Sequence, residues 1–185
     1  MNGILIFAGK YGSTERYASW IGQTCKIPVT GLKHAPRDVS EYEYVVIGSA
    51  VYSGKLLMAK WMKRHAFQLA DKKLFIFIVG GTPAEETNKI EKIIRDNVSQ
   101  DIRLQAEMYY LDGDLDVGHL SVADRFRLMI AGLFIRDRNQ KERIRKGFDQ
   151  VKFSRLCGII RSICAFTGSK ATMEPASSFF EERLN

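Results

Sequence analysis

Short apolar runs recur along the chain, and each is followed by small or polar residues and then by helically spaced ones. Asn2–Ala8 opens as a run rich in β-formers, and Gly9-Lys10-Tyr11-Gly12-Ser13-Thr14 breaks it. Tyr17, Ile21 and Cys25, four apart, predict a helix over Thr14–Cys25. Pro28–Leu32 predicts a weak second strand, and Tyr44–Ala50 a strong third. Val51-Tyr52-Ser53-Gly54-Lys55 reads as a loop into a helix holding Leu57, Trp61 and Met62. Leu74–Val79 is apolar throughout and ends at Gly80-Gly81, which predicts a fourth strand. Ala84–Val98 reads as a charged helix with Ile90, Ile93 and Ile94 inward, and Gln105–Leu111 as a fifth strand. Strands that alternate with helices predict a parallel sheet, and continuous apolar runs predict strands buried on both faces.

After Leu111 the alternation stops. Asp112–Lys146 is too long for a simple connection. Within it, Phe126, Met129, Ile130, Leu133 and Phe134 share one helical face and predict a helix over Val122–Ile135. Leu128, Ala131 and Ile135 make the other face apolar too, and Arg125, Arg127, Arg136 and Arg138 flank the run. A last helix is predicted over Phe153–Phe166, and 167–185 reads as a tail. The expected organisation is one domain over 1–166, with a basic and apolar insertion at 112–146.

Composition changes this picture in one respect. The chain of 185 residues has a net charge of +7, and the excess is local. Arg125 to Arg161 holds 11 basic and 3 acidic residues, while the remainder is nearly neutral. Such a segment suits an anionic partner, such as a membrane surface. The uncharged stretch Leu128–Ile135 is about 12 Å long as a helix, too short to span a bilayer. It could lie at the interface with its arginines on headgroups, or pack on the sheet or on a second subunit. No reader motif or aromatic-interleaved basic ribbon points to nucleic acid. Cys25, Cys157 and Cys164 lack a CxxC spacing, so a disulfide framework is not expected. Cys157 and Cys164 share a helical face and read as core packing. With no signal-peptide pattern at Ile4–Ala8, the expected location is cytoplasmic. The sequon Asn97-Val98-Ser99 is therefore treated as chance.

Three loops are candidates for chemistry. Gly9, Lys10, Tyr11, Gly12, Ser13 and Thr14 lie between the first strand and its helix. Free N–H groups at a helix start bind phosphate, glycines let the backbone curl, and Ser13 and Thr14 add hydroxyls. The turn is neither a Walker loop nor a Rossmann GxGxxG, and an ordinary β–α turn with a Ser/Thr cap is the alternative. Ala50, Val51, Tyr52, Ser53 and Gly54 follow the third strand, and Gly80, Gly81 and Thr82 follow the fourth. An aromatic and flat glycine-rich backbone suit a planar ring, although Tyr52 could also be a half-exposed loop tyrosine. All three loops sit beyond the strands' carboxyl ends, where open α/β sheets bind ligands. Other constellations fall short. Asp112, Asp114 and Asp116 suggest a calcium loop, but Val117 and Ala123 stand where Gly and Glu are needed. His34, His65 and His119 have no metal-ligand spacing, and no metal site is expected.

Phe7-Ala8-Gly9-Lys10-Tyr11-Gly12-Ser13-Thr14 resembles the phosphate loop of flavodoxins, Thr-x-Thr-Gly-x-Thr, with Gly12 and Thr14 matching it. Gly9 and Tyr11 replace the usual threonines. Val46–Gly54 is similar to the first isoalloxazine loop of that family. Leu111-Asp112-Gly113-Asp114-Leu115, Asp124-Arg125-Phe126 and Lys146-Gly147-Phe148-Asp149 resemble the menaquinone-dependent protoporphyrinogen IX dehydrogenase branch. The resemblance implies a flavodoxin-like three-layer sandwich with a five-stranded parallel sheet in the order 2-1-3-4-5. It also implies noncovalent FMN, a tetrapyrrole substrate, and a quinone or redox partner protein as acceptor. Hydride or electron transfer at the flavin requires no side-chain acid or base, so no catalytic residue is expected. A simple electron carrier and an NAD(P)H- or quinone-linked flavin reductase remain the alternatives. Placement would be cytoplasmic, or peripheral on the cytoplasmic membrane face through residues 122–138.

Overall fold

The computed structural model describes residues 1–115, 148–149 and 151–169. The expected helix over 122–135 and the tail from 170 onward lie outside the described residues. Five strands form a parallel sheet: β1 (Gly3–Ala8), β2 (Val29–Gly31), β3 (Tyr44–Tyr52), β5 (Lys73–Gly80) and β6 (Ala106–Asp112). Their spatial order is β2-β1-β3-β5-β6, the order that the family resemblance implies. β4 (Lys55–Leu56) is added antiparallel to the end of β3, and β7 (Asp114–Leu115) pairs with β8 (Phe148–Asp149) apart from the main sheet.

The helices are α1 (Ser13–Cys25), α2 (Ala59–Arg64), α3 (Ala66–Leu69), α4 (Thr87–Asn97), α5 (Gln100–Gln105) and α6 (Cys157–Thr167). Three expected helices shift, and the one expected over Ala84–Val98 spans only Thr87–Asn97. The one holding Leu57 starts at Ala59, because the Leu57 N–H bonds back to the Ala50 carbonyl at 3.1 Å. The last begins as a 3₁₀ turn over Phe153–Leu156 before turning α-helical.

Period-two alternation divides the strand side chains between two cores. Leu5, Val46, Phe75, Phe77 and Val79 face α1 and α6, where Tyr17, Ile21, Ile159, Ile160 and Ile163 complete the layer. Ile4, Ile6, Val45, Ile47, Ile76 and Ile78 face the other layer, with Trp61, Met62, Leu69 and Ile102. Large rings concentrate on the first face. Space for them comes from the neighbouring strand: a Cβ at Gly48 would lie 2.2 Å from Phe77 Cζ. Gly48 and Phe77 are register partners, so the ring lies flat across the glycine. Edge strand β6 is tied to α6 by the Tyr109 hydroxyl, 2.7 Å from Ser162 Oγ and 3.0 Å from Glu107 Oε2.

Gly48→Ala is expected to destabilise the protein by about 1–3 kcal/mol, since a buried ring must move. Gly31→Ala is the control, because its Cβ would meet only Phe7 Cζ at 3.9 Å. It should stay within about 0.5 kcal/mol of wild type. Urea denaturation of both variants measures the difference, and equal midpoints would refute the ring-on-glycine account.

Candidate functional site

The turn after β1 builds an open helix start. Gly12 is the N-cap of α1 in a left-handed conformation, φ 90° and ψ −28°. A side chain is strained there, which accounts for glycine. The Gly12 carbonyl accepts the first helical bond, from the Arg16 N–H at 2.9 Å. The N–H groups of residues 13–15 precede that bond and leave the helix end. No side chain caps α1, so the Ser/Thr-capped alternative does not hold. Ser13 and Thr14 instead lie in the first turn, and both are buried. The loop folds back onto that turn, since a Cβ at Gly9 would sit 2.9 Å from Thr14 Cβ. Ser13 Oγ accepts from the Asp114 N–H at 3.1 Å, which brings the segment after β6 over the helix start.

That segment is pinned twice more. The Tyr17 hydroxyl donates to the Asp112 carbonyl at 2.9 Å, and Arg155 pairs with the Asp112 carboxylate at 2.9 Å. Asp112 is 8% exposed. Its carboxylate is thus held by a cation from the 3₁₀ turn, as an ion-pair partner.

The second loop is corrected by the structure. β3 runs through Val51 to Tyr52, and Ser53-Gly54 forms a two-residue hairpin turn into β4. Both turn residues have positive φ, 49° and 72°. Such turns match the twist of the flanking strands, and Gly54 takes its conformation without strain. Asn97, at the end of α4, clamps the hairpin. Its Nδ2 donates to the Gly54 carbonyl at 2.9 Å and to the Ile93 carbonyl at 2.8 Å. Its Oδ1 accepts from the Leu56 N–H at 3.1 Å. The side chain of the sequon asparagine is therefore committed inside the fold.

At the third loop, Gly80 ends β5 and is covered by Tyr110 from β6. A Cβ at Gly80 would lie 2.3 Å from the Tyr110 hydroxyl and 3.3 Å from Val51 Cγ2. The Thr82 N–H donates to that hydroxyl at 3.2 Å, and the Gly113 N–H donates to the Gly80 carbonyl at 2.9 Å. Burial pushes the Tyr110 phenol pKa up. Gly81 is exposed and Thr82 half-buried.

The structure brings the three loops together. Lys10 Nζ lies 4.1 Å from the Tyr52 ring centroid and 5.4 Å from that of Tyr11, joining the first loop to the second. Val51 against Gly80 joins the second to the third. Sequence reasoning missed Tyr110 and Asn97, which reach the site only through strand pairing and helix packing. It also missed that Cys25 meets Cys164, away from this edge: burial and that contact push the Cys25 thiol up to about 12.

The fold defines a doubly wound α/β protein whose three candidate loops converge at the carboxyl edge of the sheet. The flavodoxin domain family matches residues 4–142, and the chain belongs to that family. Similar solved structures include a flavodoxin from the domain Archaea, with 18% identity and a TM-score of 0.37, covering 50% of this chain and 75% of its own. A flavodoxin, WrbA-like protein from Agrobacterium tumefaciens has 14% identity and a TM-score of 0.41, over 66% and 87% of the two chains. A Fusobacterium nucleatum flavodoxin bound to flavin mononucleotide has 15% identity and a TM-score of 0.37, over 64% and 74%. No curated protein matches the chain.

Asn97→Ala should cost about 1–3 kcal/mol by leaving the hairpin's backbone groups unpaired. It should also speed hydrogen exchange at the Leu56 amide. Asn97→Asp keeps the acceptor and should preserve protection at that amide. If Leu56 exchanges in the alanine variant as it does in wild type, the clamp has no energetic role.

Proposed function

We propose that the chain binds FMN noncovalently at this edge and acts as an FMN-dependent oxidoreductase. In the finer reading it oxidises a reduced tetrapyrrole such as protoporphyrinogen and passes the electrons to a quinone. The observation that carries the first step is the start of α1. A helix of 13 residues opens from a left-handed glycine with no side-chain cap, which leaves its first N–H groups for an anion. The residues fit a terminal phosphate: N–H groups of Ser13, Thr14 and Glu15, the Ser13 and Thr14 hydroxyls, and a backbone curled by Gly9 and Gly12. Family membership supports the same cofactor. The finer reading is supported by the Leu111–Leu115 motif and the basic insertion.

When bound, FMN supplies the electron transfer itself, and the protein contributes binding, orientation and electrostatics. The start of α1 would hold the phosphate end, and Ala50 to Gly54 with Gly80 to Thr82 would contact the ring. Lys10 carries positive charge beside Tyr52, where it favours an anionic ligand. Tyr110 and Tyr17, through Thr82 and Asp112, hold the surrounding backbone in place.

FMN should bind the protein clearly more tightly than riboflavin in a fluorescence titration. Thr14→Val should weaken FMN by about 1–2 kcal/mol, roughly 5- to 30-fold, through one lost hydrogen bond to an anion. Gly12→Val should do worse, since valine strains the left-handed cap. Equal affinities for FMN and riboflavin would overturn the site. With FMN loaded, protoporphyrinogen should reduce the protein and a quinone should reoxidise it faster than it does free reduced FMN. Reduction by NAD(P)H but not by porphyrinogen would favour a flavin reductase, and the absence of any quinone dependence would favour a carrier.

Docking of residues 122–138 on an anionic membrane belongs to the same reading, because a quinone pool lies in the bilayer. Among the described residues, no helix is long and apolar enough to cross a membrane. Co-sedimentation with anionic vesicles should occur at low salt, weaken as salt rises, and drop when Leu133 and Phe134 become serine. Wild type left in the supernatant at low salt would end the membrane proposal.

A further inference from the structure

A second concavity lies on the α2 side of the sheet and shares no lining residue with the three loops. Its walls are the turn and loop after β2 on one side and α2 on the other, and its volume is about 630 Å³. That is within the usual size range for small-molecule sites. Leu32, Ala35, Pro36, Leu57 and Trp61 supply the apolar part of a mixed lining. Trp61 stacks on His65, with ring centroids 4.4 Å apart and planes 23° from parallel. His65 Nδ1 donates to the Trp61 carbonyl at 2.9 Å. Trp61 and His65 are only 7% and 8% exposed, so the stacked pair is held fixed.

The charged part of the lining is uniform in sign. Arg37, Lys60 and Arg64 line the groove, and no Asp or Glu does. None of the three makes an ion pair among the described residues. Three like charges around a concave apolar surface focus positive potential there. An arginine fork matches a carboxylate or phosphate, and Leu32, Pro36 and Leu57, with the exposed edge of the Trp61–His65 pair, offer apolar contact. Both walls begin at the carboxyl edge. Leu32 follows Gly31, which is level with Phe7, and Leu57 is bonded to Ala50.

We propose that this groove binds a small amphipathic anion, a molecule with an apolar body and at least one carboxylate or phosphate group. The occupant is a small molecule, because the three cations and the apolar contacts line a single concavity of about 630 Å³. The site is independent of the flavin reading, since it uses none of the phosphate-loop residues.

The full chain, with and without FMN, is titrated with naphthalene carboxylate, naphthyl phosphate and neutral naphthamide. Calorimetry and tryptophan fluorescence follow binding, and Trp61→Phe identifies which of the two tryptophans reports. One-to-one binding of either anion is expected, with quenching that disappears in Trp61→Phe. The tighter of the two anions names the head group. Naphthamide should bind at least tenfold more weakly. K60Q/R64Q should weaken the anion at least tenfold at unchanged melting temperature. K33Q, at an exposed lysine outside the lining, should leave binding unchanged. Naphthamide equal to the anions, K60Q/R64Q equal to wild type, or competition between the anions and FMN would each overturn the groove. A chain that binds no FMN but still binds naphthalene carboxylate through Lys60 and Arg64 would separate the two proposals.

Discussion

Burial of the parallel sheet on both faces is the constraint on which the rest depends. Leu5, Val46 and Phe75 point into one helical layer, and Ile4, Ile6 and Val45 into the other. With both faces sealed, backbone that can meet a ligand is confined to the rims. In a parallel sheet each strand delivers its outgoing loop to the carboxyl rim and its next helix starts there. The convergence of Gly9–Thr14, Ala50–Gly54 and Gly80–Thr82 therefore follows from topology. What the loops carry is a separate property, set by local residues such as Gly12, Ser13, Thr14 and Tyr52.

The same packing device operates in the core and at the rim. Phe77 lies over Gly48 in the interior, and Tyr110 approaches Gly80 where β5 ends. A ring of this size stands close to the backbone only where the opposing residue lacks a Cβ. In the interior the device gains packing area. At the rim it also places a hydroxyl, which accepts from the Thr82 N–H. Tyr110 thus converts a glycine pair that could have been freely mobile into a loop with a fixed backbone donor.

The strands were legible because their signal is local. Ile4–Ala8, Tyr44–Ala50 and Leu74–Val79 are apolar runs whose lengths match the observed strands to within a residue or two. Strand order came from the family resemblance. The hairpin at Ser53-Gly54 was read as a loop, since a serine with positive φ is a weak turn signal without its partner Asn97, more than 40 residues away. The alternative of a Ser/Thr cap fails for a related reason. Ser13 and Thr14 look like capping residues in sequence, but Ser13 Oγ is engaged by Asp114, far along the chain. Contacts of this kind depend on the completed sheet and carry no periodicity. The open start of α1 was legible because Gly9 and Gly12 express that turn locally.

The approach of Lys10 to Tyr52 bears on whether the rim can accept a planar ring. A cation over an exposed aromatic is worth about 0.5–1 kcal/mol, rising to 2 or more when desolvated. Lys10 is exposed and Tyr52 half-buried, so the lower figure applies. A micromolar ligand gains about 8 kcal/mol on binding. Moving the ammonium off the ring is therefore a small fraction of what such a ligand supplies. The Asn97 clamp and the Tyr110 contact are of a different kind, because the part-buried Leu56 and Thr82 N–H groups would lose their partners. Taken alone, the cation–ring contact is therefore a weaker restraint than the hydrogen bonds that fix the β3–β4 hairpin and the Gly80 loop.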